Sequence, residues 1–361
     1  MNLLLYIIMA VLGFAGTLHE LLFKRTAYTL LGAVLLLYVV TMCSRIGYSN
    51  PEVADLNGYI EFFQDANESY FEPGYVFVTD LTRWVFGNSP YVLLSMVSLW
   101  IISFVMLAGW IVCKLPRPSM TDLESIAFFP TCLFFVFSLY WGSHFGSETL
   151  RIGMATSLLF CSCALAINHR TSWAFLFALF AILFHTTAII FALFVLILSV
   201  IPDLDIKQFS IWFVIMLILD VLFNISSSYT LPYISQLFET IEEVEMLTHY
   251  SEYSTQESDS YFNTQYLTYH LFGLAMIFGD LSDTRYNKAV KFYFVGLAMG
   301  TIFQSILVAM RIQWLFLAMI AFVLYFFVTN EKFLLSIRIS VLTLFAVIQQ
   351  IMLLRVLGWH I

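Results

Sequence analysis

The chain has 361 residues, of which 61% are hydrophobic, 18% aromatic and only 11% charged. Soluble domains carry about 25% charged and about 45–50% apolar residues, so this composition excludes a soluble fold and predicts an all-α polytopic membrane protein. The formal net charge of −8 says little about partners until each charge is assigned to one side of the membrane.

Apolar runs that could cross a bilayer follow one another along the whole chain. A span needs about 20 apolar residues to cross ~30 Å of hydrocarbon. The first run, 2–23, has no basic segment before it and no small-residue cleavage site after it, which predicts a retained span. We expect a single transmembrane domain, 1–361, with about twelve transmembrane helices. Candidates lie near 2–23, 27–42, 90–113, 124–141, 149–167, 209–223, 264–280, 289–309, 312–329 and 338–356, with two more inside 173–201.

The run 173–201 is unbroken except at His185, Thr186 and Thr187. As one helix it would be about 43 Å long, which is too long for a span unless it is steeply tilted. Two short helices that turn at His185 place eleven of the 16 Lys and Arg residues on the inner side, whereas one helix places seven there. The positive-inside rule therefore favours a hairpin at His185.

This topology predicts two long outer segments, 43–90 and 224–263, both acidic and rich in tyrosine. Apolar spacing in the first segment indicates short amphipathic helices at the membrane interface. The inner loops are short, with no Walker-type or GxGxxG sequence, so no nucleotide-binding domain is expected. The five cysteines are odd in number and mostly intramembrane, which indicates neither a disulfide framework nor a metal site.

Ionisable residues gather at the predicted outer mouth of the bundle. Arg151 stands at the start of a span, Arg311 between two apolar runs, His185 at the hairpin turn and Arg45 at the start of the first outer loop. Charged residues at such depth are costly and are functional candidates by default. Arg83 and Arg355 are instead interpreted as interface residues whose side chains snorkel to the headgroups.

Clustered guanidinium groups match the oxygens of a phosphate or diphosphate bidentately. No Asp-x-Asp or His/Cys spacing offers a metal site, so the arginines would themselves stabilise charge on a departing diphosphate. No cofactor and no nucleic acid are expected. Tyrosines of the outer loops could stack on sugar rings, although anchoring at the interface explains them equally well.

Short motifs in order along most of the chain resemble the EpsG family of Wzy-like polysaccharide polymerases. They are Arg45-Ile46-Gly47, Asn50-Pro51, 55–59, Phe71-Glu72-Pro73-Gly74-Tyr75, Arg151-Ile152-Gly153-Met154-Ala155, Phe184-His185-Thr186-Thr187-Ala188 and the late Arg311.

This resemblance implies a C-type glycosyltransferase-like bundle in the bacterial inner (cytoplasmic) membrane, with its active site on the periplasmic or outer side. The implied reaction transfers a glycan from undecaprenyl diphosphate onto the non-reducing end of a lipid-linked repeat unit. Arg151 and Arg311, with Arg45, would clamp the diphosphate. His185, Asp55 and Glu72 are rival candidates for the base. A chain-length regulator, a flippase and membrane lipid are the implied partners.

Two other classes of function stay open at this point. A lipid-linked oligosaccharide or solute transporter would use the same arginines along a translocation path, but the chain has no repeated halves. A membrane acyltransferase would use His185 as its base, but it would need further polar residues beside that histidine.

Overall fold

The computed structural model describes residues 2–46, 54–65, 71–114, 128–147, 149–218, 264–302 and 307–356, and its regular structure in these ranges is helical. Five described helices are long and apolar enough to cross a membrane: Leu3–Phe23, Pro90–Lys114, Leu150–Ile167, Ile312–Thr329 and Leu335–Leu354. Shorter apolar helices lie between them. The described part of the chain is therefore all-helical, and its apolar helices make the chain a multi-pass membrane protein.

The chain divides into two compact units, 1–199 with 324–361 and 200–323. The first unit contains α1 (Asn2–Phe23), α2 (Tyr28–Cys43), α3 (Ala54–Asp65), α4 (Pro73–Phe86), α5 (Pro90–Lys114), α6 (Pro130–Phe137), a π-helix (Ser138–Gly142), α7 (Ser143–Ser147), α8 (Leu150–Ile167), α9 (Thr171–Ile182) and α10 (Ala188–Val200). The second contains α11 (Ile206–Ile218), α12 (Thr264–Ile277), α13 (Thr284–Ile302) and α14 (Leu307–Leu317). Then α15 (Ile320–Thr329) leads back to α16 (Leu335–Val356) of the first unit.

Helix α8 is the central helix of the first unit, and it packs against both α5 and α9. All but one of its side chains are buried. Gly153 permits this packing, because a Cβ there would lie 2.8 Å from the Phe145 carbonyl oxygen and 3.1 Å from Ile101 of α5. Farther along α8, the Ser162 hydroxyl donates to the Ala174 carbonyl of α9 at 2.6 Å. Helix α8 is thereby held against its neighbours near both of its ends.

The π-helix interrupts the predicted span 124–141, and helical structure continues to Ser147. A wide helical turn leaves backbone carbonyls that need other donors. The Tyr38 hydroxyl of α2 donates to the Gly142 carbonyl at 2.6 Å, and the Gln350 amide of α16 donates to the Leu139 carbonyl at 3.0 Å. Helices distant in sequence thus stabilise the π-helix.

At the other end of α6, a buried carboxylate from α1 replaces a local cap. Glu20 accepts hydrogen bonds from the backbone N–H groups of Thr131 at 3.1 Å and Cys132 at 2.9 Å. These N–H groups lie in the first turn of a helix, where no intrahelical acceptor exists. Glu20 therefore joins α1 to α6 through the peptide groups of α6.

In the second unit, α13 packs against both α12 and α14. Its buried Asn287 bonds the backbone of Leu204, accepting at 3.1 Å and donating at 2.7 Å. The Lys291 ammonium donates to the Ile201 carbonyl at 3.0 Å. Polar side chains of α13 thus fix the connection that precedes α11.

Helices α3 and α4 lie inside the predicted outer segment 43–90. One side of α4 buries Tyr75, Thr79 and Thr82, whereas Phe77 and Trp84 on another side are exposed. Such an amphipathic pattern suits a helix at a membrane surface, and that location stays a prediction. The second predicted outer segment, 224–263, lies outside the described residues.

Candidate functional site

The site is built around Arg151, the second residue of α8. Its Nε donates to the Tyr59 hydroxyl of α3 at 3.2 Å, and its Nη1 forms an ion pair with Glu72. The guanidinium carbon lies 4.6 Å from the ring centre of Phe71 and 5.5 Å from that of Tyr59. Two rings and a carboxylate from the predicted outer segment thus hold the arginine at the start of α8.

One edge of this guanidinium has no such constraint. Nη2 makes no hydrogen bond within the residues that the structure describes, and the Arg151 side chain is 15% exposed. The group therefore has a fixed orientation and an N–H edge that can meet an anion.

Glu72 connects three parts of the first unit. It occupies the N-cap position of α4, and its side chain is 7% exposed. One carboxylate oxygen, Oε2, pairs with Arg151 of α8, while Oε1 accepts a hydrogen bond from the Thr186 backbone N–H at 3.2 Å. Glu72 thereby ties the start of α4 to the start of α8 and to the break between α9 and α10.

That break lies where the sequence analysis expected it, because α9 ends at Ile182 and α10 begins at Ala188. The Gly74 N–H donates to the Leu183 carbonyl at 2.8 Å. A Cβ on Gly74 would lie 2.7 Å from that same oxygen, so only glycine permits this approach without displacement. The break and the start of α4 are therefore in direct backbone contact.

His185, in the middle of the break, is 1% exposed. Its Nδ1 lies 2.7 Å from the Thr187 hydroxyl oxygen and accepts a hydrogen bond from the Thr187 backbone N–H at 3.3 Å. Residues 183–187 thus bring the imidazole and the Glu72–Arg151 pair to the same end of the bundle.

Aromatic side chains of the predicted outer segment pack around the Glu72–Arg151 ion pair. Ring centres lie 5.0 Å apart for Phe62 and Phe71, and 5.5 Å apart for Phe71 and Tyr75. The Tyr75 hydroxyl is buried and makes no hydrogen bond to any residue that the structure describes. A low-dielectric surrounding of this kind strengthens the attraction between Arg151 and any anion that reaches it.

Of the predicted site residues, Arg151 and Glu72 form an ion pair, and His185 precedes Thr186, whose backbone N–H donates to Glu72. Arg45 lies in the turn after α2 and is 4% exposed. Asp55 belongs to α3 and Arg311 to α14 of the second unit, but their side chains lie outside the described part of the structure.

Sequence reasoning missed three contributors. Tyr59 is one of the tyrosines that could stack on sugar rings, but it was not counted as a site residue because interface anchoring explains such tyrosines equally well. Phe71 and Thr187 appeared only as parts of motifs. The signal that could have found them is their position within the same short motifs as Asp55, Glu72 and His185. No three His, Cys, Asp or Glu side chains among the described residues form a group that could hold a metal ion.

The model of the EpsG family matches residues 32–357, nearly the whole chain. No curated protein and no solved structure matches it. The matched range includes α3, α4, α8 and the break at His185, which together form the site. The chain therefore belongs to the EpsG family.

Proposed function

We propose that the chain is a polysaccharide polymerase that acts on glycans carried by undecaprenyl diphosphate. It would transfer the glycan from its lipid diphosphate onto the non-reducing sugar of a lipid-linked repeat unit, at the outer face of the inner membrane. Membership of the EpsG family supports the polymerase class. The observation that carries the proposal is the guanidinium of Arg151, which Glu72, Tyr59 and Phe71 hold in place with one N–H edge available.

This arrangement suits a diphosphate that departs without help from a metal ion. Glu72 and Tyr59 hold Arg151 along Nη1 and Nε, so no reorganisation is needed when charge develops on the leaving oxygen. Preorganised donors of this kind typically contribute about 10²–10³ in kcat each. Arg311 and Arg45 would complete the clamp as further cations.

The proton of the acceptor hydroxyl needs an acceptor in this reaction. His185, Asp55 and Glu72 are the candidates from sequence. The ion pair of Glu72 with Arg151 and its bond to Thr186 engage both of its oxygens, which favours a positioning role for that carboxylate. The aromatic side chains around the pair would form the wall against which the glycan lies.

The wider architecture is part of the same proposal. We infer a bundle of about twelve transmembrane helices with a C-type glycosyltransferase-like arrangement, in which the outer segment 43–90 covers the catalytic mouth. A flippase would deliver the lipid-linked repeat unit to this face, and a chain-length regulator would act beside the polymerase.

The test is polymer formation in liposomes from purified undecaprenyl-diphosphate-linked repeat units, with EDTA throughout. Wild type and Arg25→Ala, which removes an exposed arginine after α1, should give a ladder of products. Arg151→Ala and Arg311→Ala should fold and yet extend glycans at least about 10²-fold more slowly. A wild-type protein that forms no polymer, or moves the lipid-linked glycan across the bilayer instead, would refute the polymerase and favour a transporter.

A further inference from the structure

Two side chains from one neighbouring segment cap the C-terminal end of α3. The last four carbonyls of a helix lack partners within that helix. Nη1 of Arg83, near the end of α4, donates to the Phe63 carbonyl at 3.3 Å and to the Phe62 carbonyl at 3.5 Å. The Asn88 amide donates to the Gln64 carbonyl at 3.3 Å. Three successive carbonyls of the last turn of α3 thus meet donors that lie close together along the chain.

The Arg83 guanidinium is held for this task by its own helix. Its Nη2 pairs with Oδ1 of Asp80, one turn earlier, at 2.5 Å, while its Nη1 meets the carbonyls of α3. A positive charge also stabilises the carbonyl end of a helix through the helix dipole. The sequence favours interface snorkelling for Arg83, whereas these contacts direct its charged end at a neighbouring helix.

Asn88 reaches the same end of α3 because of the turn that closes α4. The N–H of Gly87 donates to the Arg83 carbonyl at 2.9 Å, and Gly87 has a φ of +86°. Side chains of L-residues rarely permit such a φ, so glycine is the residue suited to this turn. The turn at Gly87 therefore supplies the second donor to α3.

The position of α3 matters to the site because α3 carries Tyr59. The Tyr59 hydroxyl accepts a hydrogen bond from Nε of Arg151 at 3.2 Å. Tyr59 lies three and four residues before Phe62 and Phe63, which is one helical turn from the capped carbonyls. Since neighbouring turns of a helix move together, a displacement of the last turn also displaces the Tyr59 hydroxyl.

The apolar contacts of α3 leave this position to be decided by polar ones. The Tyr59 ring packs against Phe71 and Tyr75, with ring centres 5.3 Å and 5.6 Å apart. Apolar attraction has no preferred direction, so rings can slide over one another at little cost. Hydrogen bonds weaken steeply with angle, and those of Arg83 and Asn88 therefore define the rotation and axial position of α3.

We infer that Arg83 is a positioning residue, which caps α3 so that the Tyr59 hydroxyl meets Nε of Arg151 and orients the guanidinium. This inference rests on the proposed polymerase function, in which Arg151 addresses the substrate diphosphate. Arg83 acts through Tyr59 and needs no contact with substrate. A reacting group misplaced by about 1 Å can lose about 10²-fold in rate, so a helix cap outside the site can influence catalysis.

The test is a double-mutant cycle on kcat in the reconstituted polymerase assay. Tyr59→Phe removes the hydroxyl that Arg83 is inferred to place. We expect Arg83→Ala and Tyr59→Phe each to lower kcat roughly tenfold, with KM nearly unchanged. The double variant should be no slower than Tyr59→Phe, because Arg83 acts through that hydroxyl. Independent effects would instead multiply to roughly 10².

Two more variants control the cycle. Asp80→Asn removes the exposed ion pair of Arg83 but leaves the donors to α3 in place, so its kcat should equal that of wild type. Asn88→Ala removes the other donor to α3 and should lower kcat roughly threefold, again without effect in the Tyr59→Phe background. If Arg83→Ala does not fold, the cycle is completed with Asn88→Ala.

Fluorine NMR gives a readout that does not depend on polymerase activity. The probe is 3-fluorotyrosine introduced at position 59 of the full chain in detergent micelles. Arg151→Ala provides the resonance of a Tyr59 ring that has lost its donor. We expect Arg83→Ala to move the wild-type resonance towards that position, and Asp80→Asn to leave it unchanged.

The outcomes separate this inference from the function on which it rests. If the effects of Arg83→Ala and Tyr59→Phe multiply, or if the fluorine resonance of Arg83→Ala equals that of wild type, then the positioning role is wrong while the polymerase stands. If wild type forms no polymer at all, the proposed function itself fails, and the fluorine resonance alone then decides whether Arg83 places Tyr59 against Arg151.

Discussion

Replacing Glu72 with alanine tests how firmly the outer segment is tied to the transmembrane bundle. The substitution removes the carboxylate from an ion pair whose side chains are only 7% and 15% exposed, and it removes the acceptor of the Thr186 N–H. Removing one partner of a buried pair costs about 3–5 kcal/mol. Arg151 keeps its bond to Tyr59 and two aromatic faces, so we expect about 3 kcal/mol, the lower end of this range.

The assay is the free energy of unfolding in mixed micelles, measured by titration with sodium dodecyl sulfate. Glu72→Gln keeps an oxygen for Thr186 and should lose only about 1–2 kcal/mol, the part that depends on charge. Asp80→Asn is the matched control, because the Asp80–Arg83 pair of the same segment has side chains 50% and 22% exposed. It should change the free energy by less than about 0.5 kcal/mol. If Glu72→Ala is as stable as Asp80→Asn, the Glu72–Arg151 pair does not stabilise the fold and the reasoning is wrong.

Two further substitutions test other contacts by the same unfolding assay. Gly74→Ala would place a methyl group 2.7 Å from the Leu183 carbonyl oxygen, so it should lower the free energy of unfolding by about 1–3 kcal/mol. Its control is Gly58→Ala, which should be neutral or slightly stabilising because no atom lies within 4 Å of the added Cβ. Equal effects of the two substitutions would contradict the close approach of Gly74 to Leu183. Glu20→Ala removes the acceptor of two buried N–H groups at the start of α6, so it should lower the free energy of unfolding by about 2 kcal/mol. Glu20→Gln should recover most of this loss, because the amide keeps an oxygen. An unchanged stability in Glu20→Ala would show that the two hydrogen bonds contribute nothing.

Composition and periodicity predict where the helices of this molecule lie, but they do not predict where a helix becomes irregular. Helical structure appears in each predicted span wherever residues are described, because hydrocarbon requires every backbone group to bond within its own helix. The π-helix at Ser138–Gly142 escapes such reasoning. Two of its carbonyls accept hydrogen bonds from Tyr38 and Gln350, and donors so far away in sequence leave no local signal.

The same limit applies to the site. Depth in the membrane singled out Arg151 and His185, since a buried charge and a polar break in an apolar run are visible in the sequence. Glu72 was expected as a possible base, but its pairing with Arg151 joins residues 79 positions apart. Such a contact follows from how α3 and α4 fold onto the bundle. Periodicity predicts that these helices are amphipathic, but it does not predict what they face.

The contacts of the break also bear on topology, which sequence addressed only through the distribution of basic residues. Glu72 touches Arg151 at the start of α8 and Thr186 just after α9, so the two ends lie on the same side of the membrane. Helix α8 is about 27 Å long and runs away from that side, and α9, packed against it, returns to it. The next helix, α10, begins at Ala188, on the same side of the membrane as Arg151. Its 13 residues are mostly apolar and can be shielded from water only if the chain turns back into the bilayer. A straight continuation of α9 would carry them out of the hydrocarbon. The geometry of one ion pair and one backbone hydrogen bond thus supports the same hairpin that the positive-inside rule favours.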